Sequence, residues 1–230
     1  MKLLKFIMKD HKHFILERDT ILIRRFGYYR RLYEETKDEW IGDPQDGESS
    51  LRFDLDTKGR RATPYERAIA ARNGIDIDET SIGTRVENFQ SRAIYQNDYV
   101  FCVAKGDPGT LKKAMYCASA ANPTPYDACL EIKDDKRLLR LLEKSGTFTD
   151  AESGVCCTMR WSDFRQVVYS DQPLSGWDRR HAPLQKRKKY QEQAEWRSIF
   201  SPTERSPTSG DTLKVHAPGL GDCFRDISAD

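Results

Sequence analysis

The apolar residues of this chain fall into short runs with a spacing of two, interrupted by a few stretches with a spacing of three and four. Such a pattern predicts strands interleaved with helices. Residues 20–26, TILIRRF, are rich in β-branched and aromatic side chains and read as a first strand, and a short helix follows in GYYRRLYEE from Tyr28. Asp43-Pro44 and Asp46-Gly47 are breaker pairs in an acidic loop. Beyond it residues 50–55 alternate polar and apolar as a half-buried strand does, and ATPYERAIAARNG predicts a surface helix. Residues 86–95 and 99–104 are β-rich runs joined by turn residues, which predicts a hairpin at the centre of the fold. The second run is apolar on both faces and belongs in the middle of a sheet. A helix is expected over LKKAMYCASA, with Leu111, Met115 and Ala118 on one face, and an alternating strand over residues 128–132. DDKRLLRLLEKSG has the strongest helical signature, with aspartates at its start, Leu138, Leu141 and Leu142 on one face and Gly146 past its end. Further strands are expected over residues 155–160, 166–170 and 195–200, and a last one at LKVHA after the Ser/Pro/Thr-rich SPTERSPTSGD.

A length of 230 residues suits one large domain with loop insertions. Charged residues make up 32% of the chain and hydrophobic ones 38%, with a mean hydropathy of -0.74, so the surface is heavily charged. The net charge of +2 gives no whole-molecule attraction for polyanions or acidic membranes, and any nucleic-acid contact must come from a local patch. The six cysteines lack both CxxC spacing and a regular disulfide framework, which predicts reduced, mostly buried thiols. The start, MKLLKFIMKDHKHF, is an apolar run broken by Lys5, without a cleavage site. A cytoplasmic location with no membrane partner is the expectation.

The segment QKRKKYQEQAEWRSIF sets a basic run against a polar stretch and a short strand. If residues 193–199 are extended, the period of two puts Gln193, Glu195 and Arg197 on one face, roughly 7 Å between successive members, while Trp196 packs inward. Gln193-Ala194-Glu195 resembles the Gln-x-Glu motif of the ADP-ribosyltransferases. The wider order is an early strand running into FGYYR, a GDP-x-x-G-E loop, an FCVA strand and a late YQEQAEWR. It is similar to uncharacterised bacterial proteins regarded as sharing that fold.

The resemblance implies an α+β single domain with a split, largely antiparallel central sheet flanked by helices. Residues 1–200 would form it, and residues 201–230 would add a connection and a C-terminal strand. NAD is then the implied substrate, with Glu195 stabilising the oxocarbenium-like transition state and Gln193 positioning the acceptor. Arg24 or Arg25, Arg25 preferred, would hold NAD, and Tyr28 or Tyr29 would stack on the nicotinamide ring. A carboxylate suits this chemistry because cleavage of the nicotinamide-ribose bond develops positive charge on the sugar. Where the family carries Ser-Thr-Ser on a middle strand, this chain has Phe101-Cys102-Val103-Ala104, without a hydroxyl. The implied role is a toxin or phage-defence effector modifying RNA, DNA or protein, with an antitoxin or inhibitor protein as partner.

The competing expectation is a catalytically inert protein of the same fold. It would engage nucleic acid or a protein partner through Lys186, Arg187, Lys188 and Lys189, with Tyr190 and Trp177 near in sequence for base stacking. No metal is expected, because His11-x-His13, Asp54-x-Asp56 and Asp76-x-Asp78-Glu79 lack the companions a complete site needs. Cys156-Cys157 reads as core thiols of a buried strand, and Gly219-x-Gly221 as a turn.

Overall fold

The structure, a computed structural model, describes residues 2–37, 45–95, 97–116, 126–177, 183–203 and 210–229. In chain order the strands begin with β1 (Lys2–Ile7), β2 (Thr20–Arg25), β3 (Glu48–Asp56), β4 (Arg85–Ile94), β5 (Tyr99–Gly106), β6 (Ala128–Ile132), β7 (Thr147–Asp150) and β8 (Cys156–Cys157). They continue with β9 (Met159–Trp161), β10 (Arg165–Gln166), β11 (Val168–Tyr169), β12 (Leu174–Ser175), β13 (Gln185–Lys186), β14 (Glu195–Pro202), β15 (Thr212–His216) and β16 (Phe224–Asp226). The α-helices are α1 (Lys12–Leu16), α2 (Phe26–Thr36), α3 (Pro64–Arg72), α4 (Pro108–Tyr116) and α5 (Asp135–Ser145). The chain is therefore mixed α and β, dominated by one large antiparallel sheet. It divides into two compact units, Met1–Asp46, Gln96–Val167 and Lys189–Asp230 forming the first, Gly47–Tyr95 and Val168–Lys188 the second.

The first unit is built on the 11-stranded sheet, whose order is β16-β6-β1-β5-β2-β15-β7-β8 with β14 on the remaining edge of β5. Every strand pair in it is antiparallel. Strand β5 is the axis. Along one edge Tyr99 to Ala104 pair with β14, while the other edge is shared by β2, at Tyr99 and Val100, and β1, from Ala104 to Gly106. The two strands part between those points. There Lys5 reaches in, its Nζ donating to the Cys102 carbonyl at 2.9 Å and lying 4.8 Å from the Phe101 ring centroid. A lysine inside an apolar strand thus satisfies a backbone acceptor that the parting strands leave beside it.

One face of this sheet carries the main core, where Tyr99, Phe101, Val103, Phe200, Ile21, Ile23, Leu213 and Val215 pack with Leu138 and Leu142 of α5. Helix α5 starts at Asp134, whose side chain accepts from Arg137 N at 2.8 Å, and stops at Gly146. A Cβ on Gly146 would run into the Leu142 carbonyl oxygen, so glycine is needed there for a close approach and not for its φ of -68°. The opposite face packs Leu4, Phe6, Ala104 and Cys129 against Leu111 and Ile227.

The second unit holds the three-stranded sheet β12-β3-β4 and the two-stranded parallel pair β11-β13. Strand β3 alternates as its sequence predicts, with Leu51, Phe53 and Leu55 buried and Arg52, Asp54 and Asp56 exposed. Helix α3 has a capping box, Thr63 with Glu66, and Pro64 at its start, and it seats Ile69 and Ala70 on Phe53, Leu55, Ala62 and Ile77.

Several expectations are corrected. Residues 86–95 and 99–104 are both extended, but they do not form a hairpin: β4 pairs with β3 and β5 sits among β1, β2 and β14. The reason is burial, since β4 is mostly exposed and matches the half-buried β3, whereas β5 is apolar on both sides and needs cover on both. The first strand is not TILIRR but β1, which Lys5 had made to look interrupted. Strand β6 is buried throughout instead of alternating, and residues 155–170 form several two- and three-residue strands. Cys156 is exposed and Cys157 partly so, not core thiols, because β8 ends the sheet. His11 and His13 lie in a 3-10 turn and α1, against Phe14, not on a strand. Gly219 does form a turn, at φ 79°, held by its N–H donating to Asp19. Ala118, Cys117 and most of SPTERSPTSGD lie outside the described residues.

Two outcomes follow from this packing. Leu138→Ala is expected to destabilise the protein by roughly 2–5 kcal/mol, and Thr63→Ala by about 1 kcal/mol, both read by urea unfolding. Arg60 and the Thr63 backbone hold the Glu66 carboxyl down from 4.5 to about 2. A depressed folded-state value means that its contribution is complete above pH 4.5 and fades as pH falls toward 2. Carbon-detected NMR should find the Glu66 midpoint near that low value and see it rise in Arg60→Ala.

Candidate functional site

The chemistry begins where β14 does. Lys188–Gln193 is a 3-10 turn, Ala194 follows at φ 45°, and only from Glu195 is the backbone extended. An alanine in the left-handed region costs on the order of 1 kcal/mol or more. It is held there while the Ala194 carbonyl accepts from Lys105 N at 2.9 Å. Gln193 is buried in the turn and does not share the strand's alternation, so the expected Gln193, Glu195, Arg197 face reduces to Glu195 and Arg197. Trp196 points the other way into the main core, as expected, under the Lys105 ammonium at 3.9 Å.

Glu195 and Arg197 form a buried clasp. Arg197 Nε donates to Glu195 Oε1 at 2.7 Å and Nη2 donates to Asp46 Oδ1 at 2.7 Å. The guanidinium also lies 5.2 Å from the Phe26 ring centroid. Arg197 is 0% exposed, Asp46 5% and Glu195 6%. Burial alone would lower the Arg197 pKa, yet Asp46, Glu195 and the Glu195 hydrogen bond hold it well above its ordinary value. It stays charged, and both carboxylates have a fixed charge-assisted partner.

Register decides what shares this face. Glu195 stands opposite Ala104, Arg197 opposite Cys102, and Ile199 and Arg24 flank Val100 from its two edges. Side chains of paired residues point the same way, so Glu195, Arg197, Cys102 and Arg24 project from one face. Along β5 the step from Val100 to Ala104 is about 13 Å, and β2 and β14 lie about 10 Å apart across it. Arg24 lies 4.7 Å from the Tyr28 ring centroid and donates to the Thr212 hydroxyl. Tyr28 and Tyr29 of α2 meet edge to face at 5.5 Å.

These groups feel one another electrically. Burial pushes the Tyr29 phenol well up, and Cys102, Tyr126, Asp46 and Glu195 push it further. Tyr126 is raised by burial and then by Cys102, Glu195 and Tyr28. Burial raises the Cys102 thiol, with Glu195 adding to it, which keeps it neutral and removes it as a nucleophile. Burial lowers Lys5, while Cys102 and Glu195 oppose that. Tyr29, Cys102 and Tyr126 are packed deeply enough for burial to dominate their shifts, yet each keeps part of its surface open, as do Arg24 and Tyr28. A fixed carboxylate with arginine and tyrosine neighbours can stabilise a positively charged sugar or bind an anion beside it.

Comparison with protein-family models, with curated proteins and with solved structures found no match. Of the residues expected to form the site, Glu195 and Arg24 share one sheet face, Tyr28 lies against Arg24 and Tyr29, and Tyr29 feels the Glu195 charge. Arg25 does not join them. It stands opposite Tyr99 and lies 5.0 Å from that ring's centroid, on the main-core face of the sheet, away from Glu195. Lys186, Arg187 and Lys188 belong to the second unit and Lys189 to the first; Lys188 and Lys189 are exposed, and Lys189 lies 5.2 Å from the Tyr190 ring centroid. Among the described residues no three His, Cys, Asp or Glu gather as metal ligands would. The structure adds Asp46, Lys5, Cys102 and Tyr126 to the site, none of which the sequence pattern marks as a site residue. Asp46 looked like a turn acid beside Gly47; the lysine interrupting KLLKFI was the one legible sign that a polar group is required inside that strand.

Removing the guanidinium while keeping the carboxylates should cost most. Arg197→Met is expected to destabilise by about 3–5 kcal/mol because it strands two buried carboxylates. Asp46→Asn should cost less, and a double-mutant cycle between the two, followed by urea unfolding, should give a clear coupling energy.

Proposed function

We propose that the first unit transfers ADP-ribose from NAD, with Glu195 as the carboxylate that stabilises the transition state. One observation carries the reading: Glu195 is held by Arg197 on the same sheet face as Arg24, within electrostatic reach of Tyr29, while Tyr28 lies against Arg24. Arg24 takes the pyrophosphate, in preference to Arg25, because its guanidinium suits phosphate oxygens and it shares the carboxylate's face. The nicotinamide-ribose C–N bond breaks with its electron pair leaving on nicotinamide. Positive charge grows on the ribose, and Glu195 faces it. The acceptor's nucleophilic atom then bonds to the anomeric carbon and loses its proton to solvent or a base. Arg197 fixes the carboxylate's direction, the task that the resemblance assigns partly to hydroxyls absent from Phe101-Cys102-Val103-Ala104.

A second reading has one observation in its favour. A guanidinium with no exposure between two nearly buried carboxylates is also what a purely structural anchor looks like. The protein would then be an inert member of this architecture, and Glu195 would matter to stability alone.

Nicotinamide release from NAD separates the two. The proposed enzyme releases it, and Glu195→Gln, whose amide oxygen still accepts from Arg197, loses about a hundredfold or more in rate while remaining folded by circular dichroism. Arg24→Ala should raise KM for NAD more than it lowers kcat. Absence of release by the wild-type protein, or equal rates in Glu195→Gln, rejects the catalytic reading.

A further inference from the structure

The second unit carries an aromatic stack that no part of the Glu195 chemistry uses. Phe53 is 0% exposed and lies at the core; the Trp177 ring leans on it at 5.0 Å; Tyr65, 65% exposed, stacks on Trp177 at 6.4 Å with an interplanar angle of 30°. The three rings run from core to solvent and end on a tyrosine largely open to water.

The stack is built rigidly. The Trp177 indole N–H donates to the Asp54 carbonyl at 2.9 Å, and Gly176 N donates to the Arg52 carbonyl at 2.6 Å. A Cβ on Gly176 would meet Asn73 Oδ1 at 2.9 Å and Phe53 Cβ at 3.0 Å, so the backbone behind the indole lies directly on the core. Tyr65 is in the first turn of α3, next to Pro64 and the capping box. Both rings are therefore presented at little entropic cost.

Charge surrounds the open end. Residues 57–67, TKGRRATPYER, carry Lys58, Arg60, Arg61 and Arg67 against one acid, Glu66, which Arg60 already neutralises. Lys58, Arg60 and Arg61 are exposed. Ile82, 66% exposed, bridges to Arg61. The cations are a local cluster, since residues 47–95 as a whole carry eight lysines and arginines to eight acids.

We propose that Tyr65 is a stacking platform for an unpaired base of single-stranded nucleic acid, with Lys58 and Arg61 taking its phosphates. A flat ring offered to solvent beside several cations matches the two features every strand presents, a π-face and a repeating negative charge. A proline-rich peptide would also use the ring but has no need of the cations. The proposal is independent of the reading of Glu195.

The test uses the full chain and fluorescent oligo(U) and oligo(dT) of about 12 nucleotides, followed by anisotropy at low salt, with a duplex of equal length and a proline-rich peptide as competitors. Single strands should bind better than the duplex. Tyr65→Ala should weaken binding about tenfold at unchanged melting temperature, and Tyr65→Phe should retain it. The double change Lys58→Ala, Arg61→Ala should lower both affinity and its salt dependence. No binding by the wild-type protein at low salt overturns the proposal. So does equal binding by Tyr65→Ala, or competition by the peptide with no preference for single strands.

Discussion

A single buried guanidinium organises the first unit. Arg197 has no exposure and joins Asp46, from the loop ending the first segment, to Glu195, two residues upstream on its own strand. Taking three ionised groups out of water costs several kcal/mol per ion before their attraction is counted. The arrangement persists only if each partner is where the guanidinium's planar donors need it. Slipping β14 by one residue against β5 would send Arg197 into the main core and strand both carboxylates. The clasp therefore penalises register errors more strongly than the apolar pattern of EWRSIF alone, and it ties the 45–46 loop to the sheet.

Strand β5 gives that clasp its setting. Tyr99, Phe101 and Val103 enter the main core, while on the opposite face Cys102 stands beside Arg197 and Ala104 joins the smaller apolar cluster. Because β1 and β2 share one edge of β5 and part in the middle, a carbonyl at Cys102 needs a partner, and Lys5 provides it. The proposed catalytic carboxylate thus lies near a parting in the hydrogen-bond ladder, where neutral thiol and phenol groups surround it. In the proposed enzyme a thiol held neutral by burial cannot take over the work of a hydroxyl network, and orienting the carboxylate falls to Arg197.

Much of the local structure was legible in the residues. Helix α5 follows from Asp134, the leucine spacing and Gly146; β3 from its strict alternation; and the central place of β5 from its apolar residues on both faces. The site was half legible. Glu195, Tyr28 and Tyr29 stood out by residue type and neighbourhood, but choosing between Arg24 and Arg25 requires the β2–β5 register, which adjacent residues of identical chemistry do not encode. QAEWR reads as extended throughout, but the left-handed backbone at Ala194 takes Gln193 off the strand. Asp46 was invisible because its partner is 151 residues away.

By itself, then, the sequence determined which segments are extended, which are helical and which side chains are ionisable at neutral pH, since those properties depend on near neighbours and intrinsic chemistry. Only the tertiary structure decided which strands pair, which face each arginine takes and which acids share a guanidinium. Those outcomes depend on how long-range pairing distributes burial. A shift of one residue, with no change in composition, moves a charge from one side of the sheet to the other.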